Sequence, residues 1–145
     1  MDLKQFKQDW VGFEFDTADF SVTEAEILDW AASVGETEPR FTDPSHPEFQ
    51  APPTLTAKLM GRRVLPEGFP RIGRRGFDAG KCVMPKARIL AGDVLVGRSH
   101  VEDVYEKTGR SGPMIFIVHR MEFTNQSGAL VSVVDWRMVQ QPDPE

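Results

Sequence analysis

The stretch Ser21–Phe41 limits most tightly what this chain can fold into, because it holds one strongly marked helix ahead of a long strand-forming region. Thr23 followed by Glu26 is a capping box. The Thr hydroxyl accepts from an orphan N–H of the first turn, and the Glu carboxylate can reach back to the cap N–H. Ile27, Trp30, Ala31 and Val34 fall on one face at spacings of three and four, and Leu28 and Ala32 widen that face. Gly35 supplies a stop, and Pro39 keeps the helix from resuming at once. A helix this short and this apolar, over 24–34, has to be buried by something wrapped around it, with Trp30 or Ala31 against a sheet.

The wrapping follows from the second half of the chain. The run from Val94 to Lys107 is rich in β-branched residues, Thr108–Pro113 is a turn, and Met114–Thr124 is the next strand. Asn125-Gln126-Ser127-Gly128 is a hairpin loop, and Ala129–Gln140 is the last strand. Both faces of the last two strands carry apolar residues. The expectation is that the helix covers one face, while Ile115, Ile117, Met121 and Phe123 on the other need a partner surface. Cys82–Leu90 reads as an additional strand, with Pro85 confining it to an edge or a bulge.

Ahead of the capped helix, Leu3–Trp10 is a short amphipathic helical turn that Gly12 breaks, and Phe13 and Phe15 alternate with acidic residues as a short strand. After it, residues 42–53 are a proline-rich loop, Pro52 and Pro53 open a second helix over Thr54–Val64, and residues 66–80 have no periodicity. The tail from Gln141 to Glu145 is expected to fray. One helix with long antiparallel strands at hairpin spacing predicts a single α+β domain over 1–145, a curled sheet around a central helix: the hot-dog arrangement.

Composition narrows the function. With 145 residues, 40% hydrophobic and 27% charged, the chain suits one folded domain with a real core. A net charge of −5 with no basic run points away from nucleic acid. The single Cys82 fits a reducing compartment, and no segment resembles a signal peptide or a membrane span, so a cytoplasmic protein is expected. His46, His100, His119 and Cys82 show no metal-ligand spacing.

Three segments resemble a known family. ILDWAASVGETEP is similar to the signature of R-specific enoyl-CoA hydratases, in which an apolar helix ends in Gly-Asp-x-Asn-Pro-x-His. Ala51-Pro52-Pro53-Thr54-Leu55 resembles the start of the next helix in MaoC-like dehydratases. Most specific is Ala91–Leu95 followed by Val104–Phe116 and closed by Thr124–Val131. Over roughly Trp10–Gln140 the chain resembles the N-terminal MaoC-type dehydratase domain, also called the fatty-acid-synthase-type dehydratase domain. The resemblance implies a hot dog paired with a second hot dog, as a homodimer or with a catalytic chain. It implies no cofactor, the substrate being a thioester of coenzyme A or acyl carrier protein. In active members the signature Asp and His activate a water that adds across a 2-enoyl thioester.

The signature is incomplete here. Gly35 matches its Gly, Glu36 its Asp, Glu38 its Asn, Pro39 its Pro and Phe41 its His. Glu36 remains a carboxylate base, but Phe41 cannot transfer a proton. His46, five residues on, would need a rearranged turn to replace it. The expected role is therefore a non-catalytic subunit of a heteromeric hydratase/dehydratase that helps to bind acyl-CoA. The alternatives are a self-sufficient homodimeric hydratase or thioesterase using Glu36, and a non-catalytic acyl-CoA binder. Arg62, Arg63, Arg71, Arg74 and Arg75 form a local basic cluster. Arg74 and Arg75 are candidates for the coenzyme A phosphates, and Arg110 and Gly112 for an anion at their turn. His100 and His119 are expected to be hydrogen-bonded structural histidines, and Cys82 a small buried hydrophobe.

Overall fold

A computed structural model describes residues 1–143. Helix α1 (Leu3–Trp10) is capped by Asp2, whose carboxylate accepts from the N–H groups of Lys4 and Gln5. It leads into strand β1 (Glu14–Ser21). Helix α2 (Glu24–Ser33) starts at Thr23, whose hydroxyl accepts from the Glu26 N–H. Its end is a Schellman motif. Gly35 takes φ +73°, its N–H donates to the Ala32 carbonyl, and the Glu36 N–H donates to the Ala31 carbonyl. A four-residue helix α3 (Pro39–Thr42) follows, with Pro39 in its first turn.

The strands β2 (Arg75–Pro85), β3 (Val94–Gly109), β4 (Gly112–Thr124) and β5 (Leu130–Gln141) join β1 in one antiparallel sheet, in the order β1-β3-β4-β5-β2. Helices lie on one face of this curled sheet, the α+β layout expected from the sequence. Beneath α2, Ile27 packs with Leu95, Met121, Phe123, Val131 and Val134. At the other end of the same face, Phe6 of α1 packs with Val101, Val104, Ile115 and Ile117, joined by Leu65, Phe69 and Ile72 of the long loop.

Several expectations are corrected. Ile115, Ile117, Met121 and Phe123 need no partner chain. They lie on the helix-covered inner face, each 5% exposed or less, because α1 closes the half that α2 does not reach. Helix α2 is buried on one face only, with Ile27 and Ala31 inside and Ala25, Ala32 and Val34 exposed. The second helix is a six-residue 3-10 turn, Pro53–Lys58. Beyond it the chain is drawn to β1, where the Asp16 carboxylate accepts from the N–H groups of Arg62 and Arg63 at 2.7 and 3.0 Å.

Strand β2 begins at Arg75, inside the stretch that reads as loop, and ends at Pro85 instead of Leu90. Residues 75–80 are all exposed, so their pairing with β5 leaves no hydrophobic alternation in the sequence. After Pro85 the N–H groups of Lys86 and Ala87 both donate to the Val131 carbonyl, which ends the ladder. The tail is also tied down as far as Asp143. Gln141 pairs with Arg75 in the sheet and donates to Ser111, and Asp143 meets Arg74; residues 144 and 145 lie outside the described part.

Candidate functional site

The turn after α2 holds the residues aligned with the hydratase signature. The Schellman motif fixes the backbone of Glu36, which is half-buried, and among the described residues its carboxylate makes no hydrogen bond or ion pair. Glu38 is taken up by Arg40 at 2.7 Å. Phe41 is buried at 4% exposure with the Arg40 guanidinium 4.6 Å from its ring centroid, so an aromatic ring fills the place aligned with the signature His. His46 does not replace it. Its N–H donates to the Asp43 carbonyl and its Nδ1 accepts from the Glu48 N–H, an arrangement that holds the imidazole in its own loop. The turn therefore offers one unpaired carboxylate, Glu36, with no proton-transferring partner for it among the described residues.

At the opposite end of the sheet, two of the four expected anion-binding residues, Arg74 and Arg75, line a shared concavity, while Arg110 and Gly112 lie in the adjacent turn and do not line it. Arg74 and Arg75 line an open concavity of about 750 Å³ with Ser111, Pro113, Gln141, Pro142 and Asp143. Ser111 lies between Arg110 and Gly112 in the two-residue turn joining β3 and β4, where Gly109 pairs with Gly112. The Gln141 side chain donates to the Ser111 hydroxyl at 2.8 Å, tying that turn to β5. Asp143 partly offsets the positive charge, its carboxylate 3.6 Å from Arg74. Of the other arginines, Arg63 pairs with Glu67, and Arg71 donates to the carbonyls of Gly73 and Arg74.

Glu36 and these arginines do not form one site within a chain. Helix α2 packs near the Thr124–Leu130 hairpin, whereas Arg75 pairs with Gln141 beside the Gly109–Gly112 turn. Strand β4 runs from one end to the other in 13 residues, roughly 40 Å of extended chain.

The histidines part company. His100 is hydrogen-bonded as expected, 2.7 Å from Glu102, in a network in which Arg120 also bridges Glu102 and Asp135. His119 is buried at 3% exposure, yet neither ring nitrogen has a partner among the described residues, contrary to the expectation. Burial, with Lys81 and His100 nearby, pushes its pKa down to about 4, so the ring is neutral near pH 7. Cys82 is exposed on the edge strand rather than buried. No cluster of metal-ligating side chains occurs among the described residues.

Against this geometry, sequence comparison is decisive for the family. The model of the FAS1-like, dehydratase domain region matches residues 9–134. The chain belongs to that family. No curated protein sequence matches the chain. Solved structures share the fold of this dehydratase domain at low identity. The MaoC-like dehydratase from Rhodospirillum rubrum is 21% identical with a TM-score of 0.65, the match covering 95% of this chain and 97% of that one. The HadBC (3R-hydroxyacyl-ACP dehydratase) complex from Mycobacterium tuberculosis gives 21% identity and a TM-score of 0.67, over 92% and 99%. The ChsH1-ChsH2 complex from the same organism gives 19% and 0.68, over 99% and 91%. The dehydratase domain is thus a hot dog. No helix among its described residues is long and apolar enough to cross a membrane.

Proposed function

We propose that this dehydratase domain is the non-catalytic hot-dog subunit of a heteromeric (R)-specific enoyl-CoA hydratase or 3-hydroxyacyl-thioester dehydratase. In this reading it helps to bind the acyl thioester while a second hot dog supplies the Asp and His. The observation that carries the proposal is the signature turn itself, where Phe41 is buried at the His position and Glu36 has no proton-transfer partner among the described residues.

Edge geometry supports a two-chain site. Strand β1 carries Glu14, Asp16 and Asp19 on its edge, and the 61–63 segment is hydrogen-bonded to it. Strand β2 leaves its outer edge open, with Phe77 59% exposed. Antiparallel pairing of two β2 edges sets the Arg75 end of one strand against the Pro85 end of the other. That end of the sheet also carries the α2 turn, since Ala51 and Ile89 pack there with Ile27. Arg74 and Arg75 of this chain would then serve the catalytic turn of the partner, holding coenzyme A phosphates by charge-assisted hydrogen bonds. The partner's dyad would add water across the 2-enoyl double bond, hydroxyl to C3 and proton to C2.

The test is steady-state hydration of 2-enoyl-CoA. The purified chain should show no more than residual turnover, because general acid–base assistance is worth about a hundred- to ten-thousand-fold. Mixed with a catalytic hot dog carrying the intact signature, it should support hydration that survives Glu36→Gln here. Turnover by the chain alone on the order of ten per second, abolished by Glu36→Gln, would overturn the proposal.

A further inference from the structure

Between the two apolar clusters, a polar row crosses all five strands on the inner face. Asp16 of β1 stands opposite Ser99 of β3; His119 of β4 stands opposite Trp136 of β5, and Trp136 opposite Lys81 of β2. Ser99 faces Met121, two residues from His119, so Ser99 and His119 are diagonal neighbours. Three members of the row are satisfied. Asp16 accepts from Arg62 and Arg63, the Trp136 indole donates to Asp78, and Lys81 donates to the Ala57 carbonyl at 2.7 Å. Two are not. The Ser99 hydroxyl is fully buried and the His119 ring nearly so, and none of their side-chain polar atoms has a partner among the described residues. Native cores seldom leave such groups unpaired, because burial strips their water and returns nothing.

His119 borders a slot of about 10 Å³ whose other walls are Leu59, Met60, Lys81, Met121, Val134 and Trp136. That space suits one non-hydrogen atom. Its roof is Met60, on a segment outside regular secondary structure, 41% exposed and held to Lys81 by a thioether contact of 3.2 Å. An unbranched thioether is the side chain most easily displaced by another flexible apolar chain. The remaining walls are apolar apart from Lys81 and His119, so a single neutral oxygen at the end of an apolar approach fits better than a carboxylate, which would bring two oxygens.

We propose that this slot is a specificity subsite for an acyl chain bearing a hydroxyl or keto oxygen remote from the thioester. His119 is the hydrogen-bond partner of that oxygen, and the chain enters beneath Met60. The neutral imidazole can donate to a carbonyl from one nitrogen or accept from a hydroxyl at the other. The inference rests on the acyl-thioester reading above and adds to it the substrate class. It assigns His119 no part in proton transfer, since the carboxylate at Glu36 belongs to the turn after α2.

Isothermal titration of the purified chain with coenzyme A thioesters of one chain length tests it. One ligand is unsubstituted and the others carry a keto group walked along the chain one carbon at a time. At one or two positions the keto ligand should bind about tenfold or more tightly than the unsubstituted one, as expected for satisfying a buried polar group. His119→Leu should bring that ligand down to the affinity of the unsubstituted thioester, and His119→Gln should restore part of the preference. Imidazole ¹⁵N spectra of the wild-type chain give a readout that needs no variant: the preferred ligand shifts the His119 ring signals and the unsubstituted one does not. Equal affinity across the series, or a preference that survives His119→Leu, overturns the subsite alone. Failure of every thioester to bind overturns the acyl-binding reading and the subsite with it.

Discussion

Placing Asp at Ala31 and, separately, at Ala32 tests the orientation of α2 with one substitution at two adjacent sites. Ala31 is 1% exposed and Ala32 is exposed. Both lie in the last turn of α2, so either Asp meets similar losses of helix propensity, up to about 0.7 kcal/mol, and similar repulsion from the helix C-terminus, about 0.3–1 kcal/mol. Ala32→Asp should therefore cost about 1 kcal/mol. At Ala31, 1% exposed, the carboxylate would be driven out of water, and burial would raise its pKa by about 3–5 units. Holding the group protonated at pH 7, from an ordinary value near 3.9, costs about 4 kcal/mol at roughly 1.4 kcal/mol per unit. An unpaired neutral carboxyl adds about 1–3 kcal/mol. The sum approaches the roughly 5–15 kcal/mol that holds a domain of this kind together.

The pH dependence is a second check on the same reasoning. A folded-state pKa raised above the unfolded value leaves no charge penalty at low pH and an increasing one as pH rises. Relative to the parent chain, Ala31→Asp should therefore be less destabilised at pH 5 than at pH 7 by about 2.7 kcal/mol. Urea unfolding of the three proteins at both pH values measures it. Equal costs at the two positions, or an Ala31→Asp penalty that does not shrink at pH 5, would refute the orientation of the helix.

Two further outcomes follow from the polar row. With His119 held at about 4 in the fold against 6.5 ordinarily, the unfolded chain takes up the proton first as pH falls. Stability is then full above about pH 6.5 and is lost on the way down to about pH 4, by about 3 kcal/mol in all; His119→Phe should flatten that part of the stability–pH curve measured by urea unfolding. Asp16→Ala removes the acceptor of two backbone N–H groups, so tryptic cleavage at Arg62 and Arg63 should speed up several-fold while cleavage elsewhere is unchanged. Equal rates in the two proteins would show that Asp16 does not hold this segment.

Much of the architecture was legible in the sequence because its signals are local. The spacing of Ile27, Trp30 and Ala31 marks a helix face, Gly35 supplies the positive φ of a Schellman stop, and short polar turns separate β3, β4 and β5. The altered signature turn was equally plain, since a Phe at position 41 excludes proton transfer whatever surrounds it. Register, by contrast, is a relation between distant residues. Which face of β4 the helices cover is such a relation, settled by the packing of α1 and α2, and it puts Ile115 and Phe123 in the core instead of on a partner surface. Strand β2 left no mark over 75–80, because an edge strand exposed along that length needs no hydrophobic alternation. His119 in the sequence is one histidine on one strand. Only the pairing of the strands sets it between Val101 and Trp136, diagonal to Ser99 and near Met60, where burial removes its water and neither ring nitrogen finds a partner among the described residues.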